Sequence, residues 1–150
     1  MASKTTQITL ITLQFGILLL QAGSVALQLR SAVPGLPVAV LWLACMALGL
    51  WALSANRPGN FNIRPEPKAD GHLVQTGPYR WIRHPMYTAV LLFSIGCAGF
   101  VATLLAGGLS LALLAVLWLK AVLEERMMCL RHPAYRAYMT RTRRFLPFLV

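Results

Sequence analysis

Acidic side chains are nearly missing from this chain: it has four in 150 residues, against 14 lysines and arginines, and charged residues of both signs make up only 12% of it. A soluble domain of this size needs far more polar surface, so that class is excluded. Paired cysteine motifs are missing too. Cys45, Cys97 and Cys129 stand far apart, which argues against a disulfide framework and a zinc site, and no metal is expected. No glycine-rich strand–helix fingerprint occurs, which excludes the nucleotide site of soluble Rossmann-type enzymes. The long apolar stretches hold no charge, and so lack the deep charged residue that small four-helix exporters need. What is present is hydrophobic: 57% of residues, with a mean hydropathy of +0.63. The composition is that of an integral membrane protein of one domain, residues 1–150.

A net charge of +10 would fit a nucleic-acid binder, but the placement of the charge argues otherwise. Lys4 precedes the first apolar segment and Arg30 follows it. Arg57, Arg64, Lys68, Arg80 and Arg83 fill the central loop, and the other seven, from Lys120 to Arg144, mark the C-terminal segment. If the apolar stretches span a membrane, 13 of the 14 basic residues fall on one side and Arg30 alone on the other. That is the positive-inside pattern, with both termini cytoplasmic, and attraction to anionic membrane lipids is a second use of the same charge. No nucleic acid is expected as partner.

The pattern predicts an all-α protein of four transmembrane helices. The first runs from Ile8 to Leu29, about 33 Å at ~1.5 Å per residue, and is read as a retained helix rather than a cleaved leader. Gln14, Gln21 and Gln28 recur on it every seven residues, as interhelical hydrogen-bonding groups or as a polar cavity lining. The second span runs from Pro37 to Ala55. A polar stretch from Asn56 to Ile82, rich in proline, forms a cytoplasmic loop folded on the membrane surface. An uncharged run of 32 residues follows, Thr88 to Leu119. It divides into a tight hairpin, Pro85 to Ala106 and Leu109 to Met128, with Gly107-Gly108 as the turn. Pro85 suits the first helical turn. In the tail, Tyr135, Tyr138 and Arg141 recur at spacings of three on one face of a short amphipathic helix at the cytoplasmic surface.

Chemistry concentrates at the two ends of that hairpin. Before it stands GPYRWIRHPMY, Gly77 to Tyr87; after it come Lys120 and, one turn later, Glu124-Glu125. Carboxylates close to hydrocarbon are costly and are kept where they have partners or a use. An ion pair with Lys120, at the i, i+4 spacing from Glu124, or with Arg126 accounts for them as simply as a site does. His84 and the surrounding tyrosines likewise fit an interfacial belt as well as a site.

Taken together, GPYRWIRHPMY, a hairpin, the glutamate pair and YRAYMTRTRRFLP resemble the isoprenylcysteine carboxyl methyltransferase family and its phospholipid-methyltransferase relatives, over roughly residues 60–148. The chain is similar to a minimal, prokaryotic-type member, placed in a bacterial inner membrane with its site cytoplasmic. The resemblance implies S-adenosyl-L-methionine as cofactor and a lipophilic small molecule or lipid-modified substrate as acceptor. By position it implies cofactor contacts from Arg64, Gly71, His72, Leu73, Val74, Tyr79, His84, Pro85, Met86, Tyr87 and Glu124. It places Lys120 where the family's arginine meets a substrate carboxylate. Arg141 is a second candidate for that grip, and Glu125 or His84 is the candidate base should the acceptor be an amine. The favoured reaction is carboxyl O-methylation of an isoprenylcysteine-like substrate. The alternatives are a phospholipid amine N-methyltransferase, or a non-enzymatic transporter or scaffold. Oligomeric state is left open.

Overall fold

Uncharged runs of leucine, valine and alanine have one way to satisfy their backbone in hydrocarbon, which is to coil into helices. The computed structural model, which describes residues 3–56 and 72–147, shows this outcome. Among the described residues five α-helices follow one another: α1 (Lys4–Gln28), α2 (Leu36–Ala55), α3 (Pro85–Val101), α4 (Leu104–Arg131) and α5 (Tyr135–Arg141). α1 starts a turn earlier than its apolar run because Ser3 caps it, its Oγ accepting from Thr6 N at 3.0 Å. α1, α2 and α4 are long and apolar enough to cross a membrane; α3 is apolar but shorter. Its 17 residues span about 25 Å, under the ~30 Å of a typical hydrocarbon layer.

Leucines on the outside show where the lipid lies. Leu19 (72% exposed), Leu43 (66%) and Leu111 (70%) belong to a belt that no soluble protein could present to water. α2 buries only Val38 and Ala52. It lies chiefly against α3, where Trp42 packs on Phe93 and Phe100. Gly96 lets the indole in, since a Cβ there would stand 2.5 Å from Trp42 Nε1. The main core joins α1 and α4 through Leu10, Ile17, Leu113, Val116, Leu117 and Ala121, with Tyr87, Val90 and Leu91 of α3 packed against it.

The hairpin turn falls at Ala102–Thr103, not at Gly107-Gly108. Ala102 takes a left-handed conformation (φ 53°) that ends α3, and the Thr103 hydroxyl accepts from Ala106 N at 3.2 Å to start α4. A hydroxyl cap satisfies a free helix N–H, whereas the glycine pair offers only conformational freedom. Both glycines therefore lie inside α4, with nothing within 4 Å of where a Cβ would stand. The predicted spans shift accordingly: the third ends at Val101 rather than Ala106, and the fourth runs from Leu104 past Met128 to Arg131. Contacts pairing Ser94 with Ser110, Tyr87 with Glu124 and His84 with Glu125 step away from the turn. α3 and α4 thus run antiparallel.

Polar groups tie α1 to this hairpin. Gln7, Gln14 and Gln21 are buried with Leu10 and Ile17 between them, a heptad stripe that extends the glutamine repeat one step toward the N-terminus. Gln21 Nε2 donates to Ser94 Oγ at 2.9 Å and Ser110 Oγ at 3.0 Å, and Lys120 Nζ donates to Gln14 Oε1 at 2.5 Å. Interhelical hydrogen bonding is the role these two glutamines have. Gln28 is only half-buried at the far end.

At the other end the chain folds back on itself. Gly77–Arg80 forms a single 3-10 turn, and Gly77 is required there twice over. Its φ is +57°, and a Cβ would meet that of Ala55 at 2.7 Å. After α5, residues 142–147 run as a strap across the start of α3. Arg83 N donates to Arg143 O at 2.7 Å, Arg143 N to Trp81 O at 2.9 Å and His84 N to Arg144 O at 3.1 Å. Thr88 Oγ1 donates to Phe145 O at 2.7 Å. Within α5, Tyr135 and Tyr138 are buried while Arg141 is exposed. Spacings of three drift about 60° per step around a helix, so the face shared by the two tyrosines has turned outward by Arg141.

Two measurements check this geometry by thermal unfolding in detergent. Gly77→Ala should cost about 1–3 kcal/mol, from positive-φ strain and the clash with Ala55. Gly107→Ala should be neutral or stabilising by up to ~1 kcal/mol, as expected inside a helix; marked destabilisation there would contradict the Ala102–Thr103 turn.

Candidate active site

The hairpin brings the two halves of the motif pattern to one end of the bundle. GPYRWIRHPMY places His84 as the residue before α3 and Pro85 at its first position. Glu124 and Glu125 lie late on α4, directly opposite. Adjacent positions on a helix point about 100° apart, so the two glutamates meet different neighbours.

Glu125 points inward, its side chain 5% exposed, into a nest of cations. Arg83 Nε donates to its Oε1 at 2.8 Å. Arg144 straddles both oxygens, with Nη2 2.6 Å from Oε2 and Nε 3.1 Å from Oε1. His84 Nε2 stands 3.2 Å from Oε1. Arg83 also spends Nη1 on Thr142 O at 2.5 Å and Met139 O at 3.3 Å, and Arg144 lies over the Trp118 ring at 4.5 Å. One carboxylate thereby binds α4, the start of α3 and the strap together. With both oxygens engaged by three cationic or imidazole donors, it is geometrically a clasp.

Glu124 has a different setting. Its side chain is 31% exposed, and His84 Nδ1 lies 3.6 Å from its Oε2. The Tyr87 hydroxyl donates to the same oxygen at 3.1 Å. His84 and Tyr87 stack with ring centroids 5.2 Å apart and planes 3° from parallel. Tyr79 lies close enough to feel the same charge. Burial first, then the negative Glu124, push its phenol up to about 12, while a hydrogen bond with Asn56 opposes the shift. Tyr79 is therefore a neutral phenol at physiological pH.

Lys120 lies one turn deeper than Glu124 and is only 2% exposed. Its ammonium sits 5.3 Å from the centroid of the Tyr87 ring and donates to Gln14. The i, i+4 ion pair with Glu124 is not among the ion pairs of the described residues. Tyr87 separates the two groups instead, its ring beside the cation and its hydroxyl on the carboxylate.

The structure thus gathers Tyr79, His84, Tyr87, Lys120, Glu124 and Glu125. Pro85 is buried at the helix start with Met86 half-buried beside it, while Leu73 and Val74 are half-buried and His72 exposed in the approach to Gly77. Arg141 stands apart, exposed, with Nη2 3.4 Å from Gln75 Oε1. Arg64 and Gly71 lie outside the described residues, as does the loop over 57–71. Sequence reasoning overlooked Arg83, Arg144 and Gln14 as partners. Arg83 and Arg144 lie within the quoted motifs, and the scarcity of carboxylates among so many cations was the available signal.

Glu125→Ala should leave the partly buried Arg83 and Arg144 without their anion and cost roughly 3 kcal/mol, whereas Glu124→Ala, at a more exposed carboxylate, should cost under about 1 kcal/mol. Thermal melts of the two variants check the division; equal losses would contradict it.

Comparison with known proteins agrees with this arrangement. None of the curated proteins matches the chain. The model of the isoprenylcysteine carboxyl methyltransferase family matches residues 38–130, more than half of the chain. The matched stretch runs from α2 through the GPY turn and α3 to the late turns of α4, so it contains the Tyr79, His84, Tyr87, Lys120 and Glu124 cluster and leaves α1 outside. A hairpin that returns two short polar motifs to one membrane edge, matched over that length, establishes that the chain belongs to the isoprenylcysteine carboxyl methyltransferase family and is a membrane methyltransferase.

Proposed function

We propose that the protein methylates a lipophilic carboxylate, of the isoprenylcysteine type, at the cytoplasmic face of its membrane, with S-adenosyl-L-methionine as methyl donor. The observation that carries this reading is Tyr87. Its ring lies 5.3 Å from the Lys120 ammonium and its hydroxyl 3.1 Å from the Glu124 carboxylate. A site for an anion and a site for a polar, cationic molecule are thus set side by side on one tyrosine.

The residues present fit such a cofactor. A partly exposed carboxylate, the neutral phenol of Tyr79 and the Tyr87 ring meet at the N-terminus of α3, where the positive end of the helix dipole favours an anion. S-adenosylmethionine, when bound, supplies a methyl carbon on a cationic sulfonium that a nucleophilic oxygen can displace from sulfur. Glu124 accepts hydrogen bonds from its hydroxyl or amino groups, and Tyr79 and Leu73 pack on its flat and apolar parts. The start of α3, from His84 through Pro85 to Tyr87, receives its carboxylate. Of the remaining proposed contacts, His72, Val74 and Met86 belong to the approach to Gly77 and the start of α3, while Arg64 and Gly71 are proposed on the family resemblance alone.

An acceptor carboxylate carries its own negative charge, so no residue has to take up a proton. The work of the protein is to hold and desolvate that oxygen, and Lys120 holds it. Glu125 keeps the walls of the site together through Arg83 and Arg144. The acceptor reaches the site sideways from the bilayer, because its tail stays in hydrocarbon. With 13 of 14 basic residues on one side, the positive-inside rule sets that side, both termini and the site in the cytoplasm.

Calorimetric titration of folded protein with S-adenosylhomocysteine should give saturable binding that Glu124→Ala weakens about tenfold or more, the loss of one charge-assisted hydrogen bond. No binding at millimolar ligand would overturn the proposal. With a radiolabelled methyl donor and membrane lipids, label should enter a product that mild base releases, as a methyl ester requires. Label stable to base would identify an amine acceptor instead.

A further inference from the structure

α1 lies outside the residues matched to the family, yet it supplies the hydrogen-bond acceptor for Lys120. The ammonium is enclosed by the apolar face that α1 and α4 share, with Leu117 and Ala121 fully buried beside it on α4. Such a charge needs an anion or strong acceptors to be held there. It has the carbonyl oxygen of Gln14 at 2.5 Å and the face of Tyr87, both neutral. A carboxamide oxygen offers an ammonium only a dipole, whereas an anionic oxygen in its place adds the attraction between two full charges. Glu124 acts on this charge only from beyond the Tyr87 ring, so the ammonium touches no anion and its direct occupant is a weak one.

We infer that Gln14 is a placeholder ligand: its carboxamide oxygen holds the Lys120 ammonium in the resting enzyme and is displaced by the anionic oxygen of the acceptor. Resting on the methyltransferase reading, this makes α1 a specificity element, which admits acceptors carrying an anionic oxygen and disfavours neutral ones. The position suits an exchange, because Leu13 (47% exposed) and Phe15 (45%) beside Gln14 open to lipid, the side from which a lipophilic acceptor arrives. The exchanged oxygen would stand one tyrosine ring away from Glu124, since Tyr87 contacts both Lys120 and Glu124. A neutral glutamine serves this exchange better than a glutamate, which would neutralise the lysine permanently. A leucine would leave the ammonium without a resting partner.

The test compares binding of N-acetyl-S-farnesylcysteine and of its methyl ester to the full chain in zwitterionic nanodiscs. The parent protein should bind the acid at least tenfold tighter than the ester. Gln14→Glu, which supplies a permanent internal anion, should reduce that preference below twofold while S-adenosylhomocysteine affinity stays within twofold of the parent. Gln14→Met, which removes the competing oxygen, should keep or raise the acid preference even where it lowers thermal stability. A parent without acid preference, a Gln14→Glu variant that retains it, or a Gln14→Met variant that loses it would overturn the inference. The two readings fail separately: absence of S-adenosylhomocysteine binding by the parent counts against methyl transfer, while the acid-to-ester ratio alone decides the role of Gln14.

Discussion

One buried carboxylate organises the end of the molecule at which the polar motifs meet. Glu125 accepts from Arg83 at the start of α3 and from Arg144 in the C-terminal strap, with His84 against the same oxygen. Without it, two guanidinium groups would be enclosed with no counter-ion, a state costing several kcal/mol. Around this clasp the strap lies on the helix start, Thr88 meets Phe145, and the Tyr138 hydroxyl reaches Tyr79 O at 2.7 Å. The clasp also holds His84 in place, and His84 stacks on Tyr87. The position of Tyr87 between Lys120 and Glu124 is therefore a consequence of the Glu125 ion cluster.

Adjacent glutamates thereby take different environments. Glu125 is fully engaged inside the protein, while Glu124, about 100° around the helix, keeps a partly exposed carboxylate toward Tyr79 and Tyr87. The same separation recurs along α4. Lys120 lies deeper, under apolar cover, and Glu124 lies at the edge, so a cationic and an anionic group share one helix face without pairing. The tyrosine ring between them keeps the two charges available to different ligands.

The membrane-embedded half is held by other means. Helices in lipid gain little from burying leucine against leucine, so close packing and hydrogen bonds carry association. Trp42 fitting against Gly96 joins α2 to α3, and Gln21 with Ser94 and Ser110 joins α1 to the hairpin. The glutamine stripe of α1 serves both needs. Gln21 ties helices in the bilayer, and Gln14 reaches the edge of the candidate site.

Composition and patterning were sufficient for the helical membrane architecture, for the approximate course of the apolar segments and for the grouping of the polar motifs. Hydrophobic length and the placement of arginines report on the solvent, and they do so without tertiary information. Family resemblance was legible as well, because GPYRWIRHPMY and Glu124-Glu125 are contiguous runs. The hairpin turn was not legible: Gly107-Gly108 carries the stronger turn signal, and only the cap made by Thr103 moves the turn to Ala102. The division of labour between Glu124 and Glu125 was also hidden, since two identical neighbours differ only in which way the helix turns them. The partners of Glu125 at Arg83 and Arg144, and of Lys120 at Gln14, lie 42, 19 and 106 residues away along the chain. Contacts over such separations are set by how the helices and strap pack, and so the tertiary structure alone decided which charges are buried together and which stay open to a ligand.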